Sequence, residues 1–171
     1  TANHCISTQA AANTLTVYWF YQRATCGGAV PNINTVPRNT GGATFLGGSG
    51  ASDYTFMRLR DDASAGQGFA ASTTSNPPGG STVHMVHHPG GSWKRYSSGV
   101  NTFASPICNS TSLSHLWDFT LGHIQGGSSG SPLFNDNWEV IGALTGFCWF
   151  GAQPNCATAT GTWNHFGPKM S

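Results

Sequence analysis

Residues 126–132 read Gly-Gly-Ser-Ser-Gly-Ser-Pro, and this stretch indicates a loop built around a reactive serine. A reactive serine needs a tight turn whose amide N–H groups point at the oxygen that becomes negative during acyl transfer. Glycines on both sides permit backbone conformations that a side chain would forbid. In this arrangement the N–H groups of Gly127 and Ser129 would face one developing oxyanion. Because glycine-serine clusters also occur in linkers, partner residues elsewhere must decide the interpretation.

The composition predicts one β-rich domain. Aromatic residues make up 12% of the 171 residues and there are 23 glycines, which suits strands joined by many loops. Charged residues amount to only 8% and the net charge is +1, so no basic field exists to attract nucleic acid or anionic lipid. No uninterrupted apolar run approaches the roughly 18 residues that span a bilayer. We therefore expect neither nucleic-acid nor membrane binding.

Short strands alternate with turns along the chain, and no amphipathic helix is evident. A loop-like stretch over residues 97–112 is expected to link two subdomains. This pattern favours an all-β sandwich or a pair of barrels. The predicted strands are 14–21, 43–46, 54–60, 82–88, 113–121 and the hairpin 132–134 with 138–144.

A serine nucleophile needs a base, usually histidine, and a carboxylate that fixes the imidazole tautomer. His4 lies in Thr-Ala-Asn-His-Cys, just before a loop. Among the six carboxylates, Asp53 stands where a glycine-rich loop meets a buried strand, so it would be half-sheltered and oriented. A turn or strand cap is the other interpretation of Asp53. Asp118 lies in a strand close to the serine in sequence.

The run His87-His88-Pro89 suggests a metal site, because imidazole is a common zinc ligand. Adjacent strand residues point to opposite faces, however, and no cysteine or carboxylate stands nearby at ligand spacing. We expect no metal site here.

Three segments together resemble the chymotrypsin-fold serine peptidases. Thr1–Cys5 looks like their histidine box, Ser52–Phe56 like their aspartate box and Gly126–Pro132 like their serine box, in the order of that family. The closer likeness is to the bacterial lysyl endopeptidase-like branch. It extends to Val17–Gln22, Thr25-Cys26, His87–Pro89 with Lys94-Arg95, and the Ser-Ser-Gly-Ser form of the serine loop.

The resemblance implies two antiparallel β-barrels of the chymotrypsin type, the first incomplete in this chain. Residues 1–96 would form the partial N-terminal barrel with the histidine and aspartate, residues 97–112 the linker, and residues 113–171 the C-terminal barrel with the serine. The implied protein is a secreted or periplasmic bacterial serine endopeptidase. It would be a monomer that needs no cofactor and acts on protein or peptide substrates through an acyl-enzyme.

Carried over to this sequence, His4 is the general base, Asp53 its orienting carboxylate and Ser129 the nucleophile. The N–H groups of Gly127 and Ser129 form the oxyanion hole. In digestive members of the family, the residue before the nucleophile is an aspartate that pairs with a freed N-terminal amine. Ser128 cannot form that ion pair, so activation by insertion of the N-terminus is not expected.

The substrate pocket is expected to involve Thr145, Gly146 and Asn164. Lysine-specific members bind the substrate's cation with an aspartate near the C-terminus, and Asn164 is the best match to that aspartate. No Asp or Glu follows Glu139 in the sequence. We therefore expect an uncharged residue on the amino side of the cleaved bond, without Lys or Arg specificity.

The five cysteines are an odd set, and disulfide bonding in a secreted protein is favoured over free buried thiols. The resemblance implies that Cys5, Cys26 and Cys156 pair with cysteines upstream of Thr1. Cys108 and Cys148 then remain as an internal pair, with Cys108–Cys156 as the other option. The chain is expected to be a fragment lacking early strands, and inactive alone.

Two other functions fit the composition less well. The first is a catalytically inactive homologue that keeps the fold as a binding module. The second is an unrelated all-β carbohydrate-binding or adhesion domain. In that domain exposed rings would stack on sugars, and the candidates are Trp93, Trp138, Trp149 and Trp163.

Overall fold

The computed structural model describes residues 1–102, 114–147 and 164–168; at residues 114, 115 and 164–168 it is the backbone that is described. Strands dominate, and every strand pair is antiparallel, which confirms the predicted all-β class. The strands are β1 (Val17–Tyr18), β2 (Arg38–Asn39), β3 (Ala43–Ser49), β4 (Tyr54–Leu59), β5 (Thr82–His87), β6 (Arg95–Thr102), β7 (Ser114–Leu121), β8 (Pro132–Phe134), β9 (Val140–Ala143), β10 (Gly146–Phe147) and β11 (Asn164–Pro168).

One short helix, α1 (Gln9–Asn13), was not expected from the sequence. Thr8 caps it, since its Oγ1 accepts a hydrogen bond from the Ala11 N–H at 3.2 Å. The Gln9 side chain ties the helix to β3, donating to the Ala43 carbonyl at 2.9 Å and accepting from the Phe45 N–H at 2.9 Å. A helix of five residues shows no apolar periodicity, which explains why the sequence pattern missed it.

The predicted strand 14–21 is much shorter than its β-branched and aromatic composition suggests. Only β1, Val17–Tyr18, pairs with a neighbour, the two-residue β2. Phe20 takes a φ of +58°, in the left-handed region, and this ends the strand. Propensity therefore identified the right residues, but the strand stops where its partner does.

Seven strands form the largest sheet, in the order β10-β11-β7-β6-β5-β8-β9. Its buried side chains form one apolar cluster, which contains Val83, Met85, Trp117, Ile124, Leu133, Ile141 and Leu144. The β3–β4 hairpin and the β1–β2 pair are separate two-stranded sheets. Among the described strands we see no hydrogen-bonded closure of either sheet system into a barrel.

β6 occupies residues 95–102, although the sequence predicts a loop from residue 97. Its buried face is made of Ser97, Gly99 and Asn101 instead of apolar residues. Asn101 can be buried because its Nδ2 donates to the carbonyls of Pro77 and Pro78, in the turn before β5, at 2.8 and 3.2 Å. A strand whose inner positions are polar or small carries no hydrophobic alternation, so the pattern reads as a loop.

β5 and β6 belong to the seven-stranded sheet that contains β8, which directly follows the serine loop. Residues 71–73 also bond to Val140 of β9. The expected division of the chain after residue 96 stays a prediction. Residues 103–112 of the expected linker lie outside the described residues.

The β8–β9 hairpin agrees with the sequence prediction and fixes the downstream end of the serine loop. At its turn, Asn135 Oδ1 accepts hydrogen bonds from the N–H groups of Asn137 at 3.0 Å and Glu139 at 2.9 Å. Upstream, Asp61 closes the β2–β3 connection, because its Oδ2 accepts from the Gly41 N–H at 2.8 Å.

In the described part of the chain, no helix has both the length and the apolar character needed to cross a membrane.

Replacing Gly99 with alanine is expected to destabilise the protein by about 1–3 kcal/mol. A Cβ at this position would overlap the backbone of Asp118 and Phe119 on β7, and backbone cannot yield as a flexible side chain can. Denaturant unfolding of the full-length gene product measures the effect. Gly47→Ala is the matched control, because a Cβ there meets no atom within 4 Å and the unfolding free energy should change little. Equal stability of the two variants would contradict the close β6–β7 approach.

Candidate active site

His4 and Asp53 form a paired unit at the β3–β4 hairpin. His4 Nδ1 lies 2.8 Å from Asp53 Oδ2, and the His4 backbone N–H donates to Asp53 Oδ1, also at 2.8 Å. The Asp53 side chain is 14% exposed and that of His4 is 49% exposed. The carboxylate thus fixes the imidazole from the sheltered side. Because Nδ1 is engaged, Nε2 is the nitrogen left to exchange a proton with a substrate.

The backbone of the β3–β4 turn aims the carboxylate at the histidine. Asp53 has a φ of +51°, a left-handed conformation that aspartate tolerates better than most residues. Its own carbonyl accepts a hydrogen bond from the Asn3 N–H at 3.2 Å, and the Thr1 carbonyl accepts from the Thr55 N–H at 2.7 Å. Residues 1–4 therefore run alongside the beginning of β4, which places His4 beside Asp53.

The serine loop is a compact turn between β7 and β8. The Ser128 N–H donates to the Gln125 carbonyl at 3.0 Å, and the Ser131 N–H donates to the Ser128 carbonyl at 3.2 Å. Gly127 and Gly130 have φ values of +93° and +76°, as the sequence-based argument about glycine requires. The loop is also tied to the strand region beyond it, because the Gly130 N–H donates to the Leu144 carbonyl at 2.7 Å.

The N–H groups of Gly127 and Ser129 donate to no other group within the described residues. Gly127 is exposed and Ser129 is half-buried. The predicted oxyanion hole requires two N–H donors that have no partner within the protein. The assignment of these two donors to an oxyanion hole stays a prediction.

The serine loop contacts the histidine segment directly. A Cβ added to Gly130 would overlap Thr1 and the Ala2 backbone, so only glycine allows this approach. Ala2 is fully buried there. No hydrogen bond joins His4 to Ser129 within the described residues, and catalytic hydrogen bonds are often long until substrate binds. The contact brings residues 1 and 2 against the serine loop.

The pocket candidates lie at one end of the large sheet. Thr145 directly precedes β10, and Gly146 of that strand is the register partner of Phe166 in β11. Asn164 begins β11 and stands opposite Asp118 of β7. Sequence reasoning did not connect Asp118 with the pocket. Its Oδ1 is buried without a hydrogen-bond partner in the described part of the chain, and burial raises the pKa of this carboxyl group.

Two of the five cysteines lie among the described residues. Cys5 and Cys26 are exposed and carry no disulfide in the structure. Cys108, Cys148 and Cys156 lie outside the described residues. Burial and the nearby Asp53 carboxylate raise the pKa of the Cys5 thiol, so the thiolate is disfavoured beside the histidine.

Two of the four tryptophans considered for sugar binding are described. The guanidinium groups of Arg23 and Arg95 lie over the Trp93 ring, at 4.2 and 4.5 Å from its centroid. Trp138 is 51% exposed and stacks on His84 with ring centroids 5.1 Å apart. Trp149 and Trp163 lie outside the described residues. Cations already cover Trp93, which leaves Trp138 as the more accessible of the two described rings.

Ser128, the residue before the proposed nucleophile, points into the protein and bonds to a buried histidine. Its Oγ lies 2.8 Å from His87 Nδ1, and His87 Nε2 lies 2.9 Å from Ser97 Oγ. Burial, reinforced by the charges of His88, His123 and Arg95, lowers the pKa of His87 to about 4. The neutral imidazole therefore bridges two hydroxyl groups.

The neutral state of His87 predicts a loss of stability in acid. In the unfolded chain this imidazole binds a proton near pH 6.5, whereas the folded protein resists protonation down to about pH 4. The free energy of unfolding should therefore fall as the pH drops from about 6.5 to about 4, by up to about 3 kcal/mol. Burial also lowers the pKa of His123, which adds to the slope.

The difference in unfolding free energy between the wild type and His87→Asn isolates the contribution of His87 to this pH dependence. Unfolding free energies of the wild type and of His87→Asn, measured across this pH range, should converge as the pH falls. A difference that stays constant from pH 7 to pH 4 would contradict a buried neutral His87.

Comparison with known proteins places these features in one family. The model of the lysyl endopeptidase C-terminal domain matches residues 1–165. Lysyl endopeptidase of Pseudomonas aeruginosa is 33% identical over 179 aligned positions, which cover 99% of this chain and 37% of that protein. The chain therefore spans little more than a third of this relative's length.

A solved structure agrees on the fold. The apo protease domain of MamO from Magnetospirillum magneticum superposes with a TM-score of 0.50 at 14% identity, covering 82% of this chain and 68% of that one. This likeness concerns the fold alone, and it confirms the predicted protease-type β architecture. Since the family match includes the histidine, aspartate and serine segments and extends almost to the end of the chain, the chain belongs to the lysyl endopeptidase family.

Proposed function

We propose that this protein is a serine endopeptidase that cleaves peptide bonds through His4, Asp53 and Ser129. The observation that carries the proposal is the His4–Asp53 pair at 2.8 Å, which engages Nδ1 of a half-exposed imidazole. Its support is the contact of Gly130 with Thr1 and Ala2, which brings the serine loop to the histidine segment. Family membership agrees, and the activity of the whole protein is part of the proposal.

In the proposed reaction, His4 Nε2 takes the proton from Ser129 Oγ while that oxygen attacks the substrate carbonyl carbon. The carbonyl oxygen becomes negative and accepts hydrogen bonds from the N–H groups of Gly127 and Ser129. Asp53 stabilises the imidazolium that forms, without becoming protonated itself. The imidazolium then gives its proton to the leaving amine. A water molecule that gives its proton to His4 then attacks the acyl-enzyme. The ester bond to Ser129 breaks, the serine takes the proton back, and the carboxylic acid leaves.

Labelling with a fluorophosphonate probe tests the nucleophile. The full-length gene product is expected to be modified at Ser129, because the attacking hydroxyl is activated by His4. Ser129→Ala should abolish labelling and lower kcat by at least about 10⁴-fold.

Ser131→Ala is the control, since Ser131 lies in the same loop and contributes only backbone groups to the hydrogen bonds of its turn. It should label normally. An unlabelled wild-type protein would overturn the protease proposal and favour an inactive homologue with a binding function.

We further propose that the substrate residue on the amino side of the cleaved bond is uncharged. Asn164, which is neutral, is the best match to the aspartate that the resemblance assigns to the lysine-specific members. Asp118 stands opposite in the register, and burial raises the pKa of its carboxyl group. Secretion and a monomeric state remain proposals that accompany this function.

A peptide library cleaved by the full-length gene product tests this specificity. Cleavage should follow uncharged residues, with no enrichment for Lys or Arg. Strict cleavage after Lys would overturn the proposal. In that event Asp118→Asn tells where the countercharge lies, because loss of Lys cleavage in this variant would assign it to β7.

A further inference from the structure

The segment 87–91, His-His-Pro-Gly-Gly, has no part in the proposed reaction, yet it lies directly behind the serine loop. The Gly90 N–H donates to the Gly126 carbonyl at 2.7 Å. A Cβ at Gly127 would lie 3.1 Å from the His88 carbonyl oxygen and 3.3 Å from the Gly90 nitrogen. The two segments therefore touch backbone to backbone at the residue whose N–H is proposed to bind the oxyanion.

Side chains reinforce this contact through a buried chain of hydrogen bonds. His87 links Ser128 Oγ to Ser97 Oγ at 2.8 and 2.9 Å, and all three residues are at most 1% exposed. Ser128 Oγ also accepts from the Gln125 N–H at 3.3 Å. Solvent does not reach these atoms, so a lost partner would leave a buried polar group unsatisfied. The hydroxyl group of Ser128 is therefore held in place by His87 and by the Gln125 N–H.

Ser128 lies between the two residues whose N–H groups are available. Fixing its side chain fixes the orientation of the peptide groups on either side, and with them the direction of the Gly127 and Ser129 N–H bonds. β5 and β6 supply the other members of the chain, His87 and Ser97. The support thus originates in the rigid seven-stranded sheet.

We propose that His87 is a positioning residue for the oxyanion hole, acting through Ser128. This inference rests on the proposed function, because it assigns a role in the same reaction. The two ring nitrogens have different duties: Nδ1 holds the serine loop and Nε2 anchors the ring to β6. The pair replaces, with neutral hydrogen bonds, the ionic support that Ser128 cannot provide.

Two substitutions of His87 separate these duties. In His87→Asn, the amide reaches the position of Nδ1 and can still bond to Ser128, while the contact with Ser97 is lost. In His87→Gln, the longer amide reaches the position of Nε2, so the contact with Ser128 is lost instead. Both variants are neutral and polar, so burial and charge are matched.

In the full-length gene product, His87→Gln should lower kcat about 10- to 100-fold, because a displaced oxyanion hole weakens the transition state. KM should change by less than about threefold, since the substrate ground state does not use these donors. The rate of fluorophosphonate labelling should fall in parallel. His87→Asn should retain kcat within about threefold of the wild type. Circular dichroism and thermal unfolding establish that each variant is folded.

Ser128→Ala provides a second route to the same answer. It removes the hydroxyl with little change of volume and should lower kcat to a similar extent. Combined with His87→Gln, it should cause little additional loss, because both changes break the same bond. If His87→Gln does not fold, Ser128→Ala alone decides. His84→Gln is the control on the same strand, since His84 bonds to Tyr96 and Asp136, away from the serine loop.

Folded His87→Gln and Ser128→Ala variants with wild-type kcat would overturn this inference and leave the proposed function intact. The same holds if His87→Asn and His87→Gln lose kcat equally, because a merely structural histidine would not distinguish the two nitrogens. A wild-type protein that the probe does not label would instead overturn the proposed function itself.

Discussion

The packing of the serine loop between two backbone segments is the constraint on which the site depends. Behind the loop, Gly127 touches residues 88–91, and in front of it Gly130 touches Thr1 and Ala2. A Cβ at Gly130 would overlap its neighbours and one at Gly127 would be tightly packed, and both glycines also have positive φ values. The loop therefore has little freedom to change shape. Its two glycines link the β3–β4 hairpin, through residues 1–4, to the seven-stranded sheet.

Polar contacts inside the sheet complement this packing. The chain has few charges, and the buried polar residues of its described part are neutral: Thr55, His87, Ser97, Asn101 and Ser128. Neutral groups carry a smaller desolvation cost than an ion pair in the same place, provided each finds a partner. The series of hydrogen bonds from Ser97 of β6 through His87 to Ser128 meets that condition. Burial, reinforced by the charges of His88, His123 and Arg95, lowers the pKa of His87. The contact between His87 and the serine loop is therefore neutral.

The sequence was informative where chemistry or backbone geometry restricts the residue type. The glycines of the serine loop and strands such as β4 and β5 were predicted because each depends on local composition. The pairing of His4 with Asp53 was expected from the family resemblance. β6 was missed because its inner face is polar and small. The position of Asp118 was missed for a different reason. Strand register joins it to Asn164, and no local pattern contains that register.

The position of the groups around Ser128 has a bearing on when the serine loop acquires its shape. Every group that bonds to the Ser128 hydroxyl comes from the seven-stranded sheet or its adjoining turns, so the loop takes its shape as the sheet folds. In the proposed reaction, the N–H donors on either side of Ser128 would then be oriented before a substrate arrives.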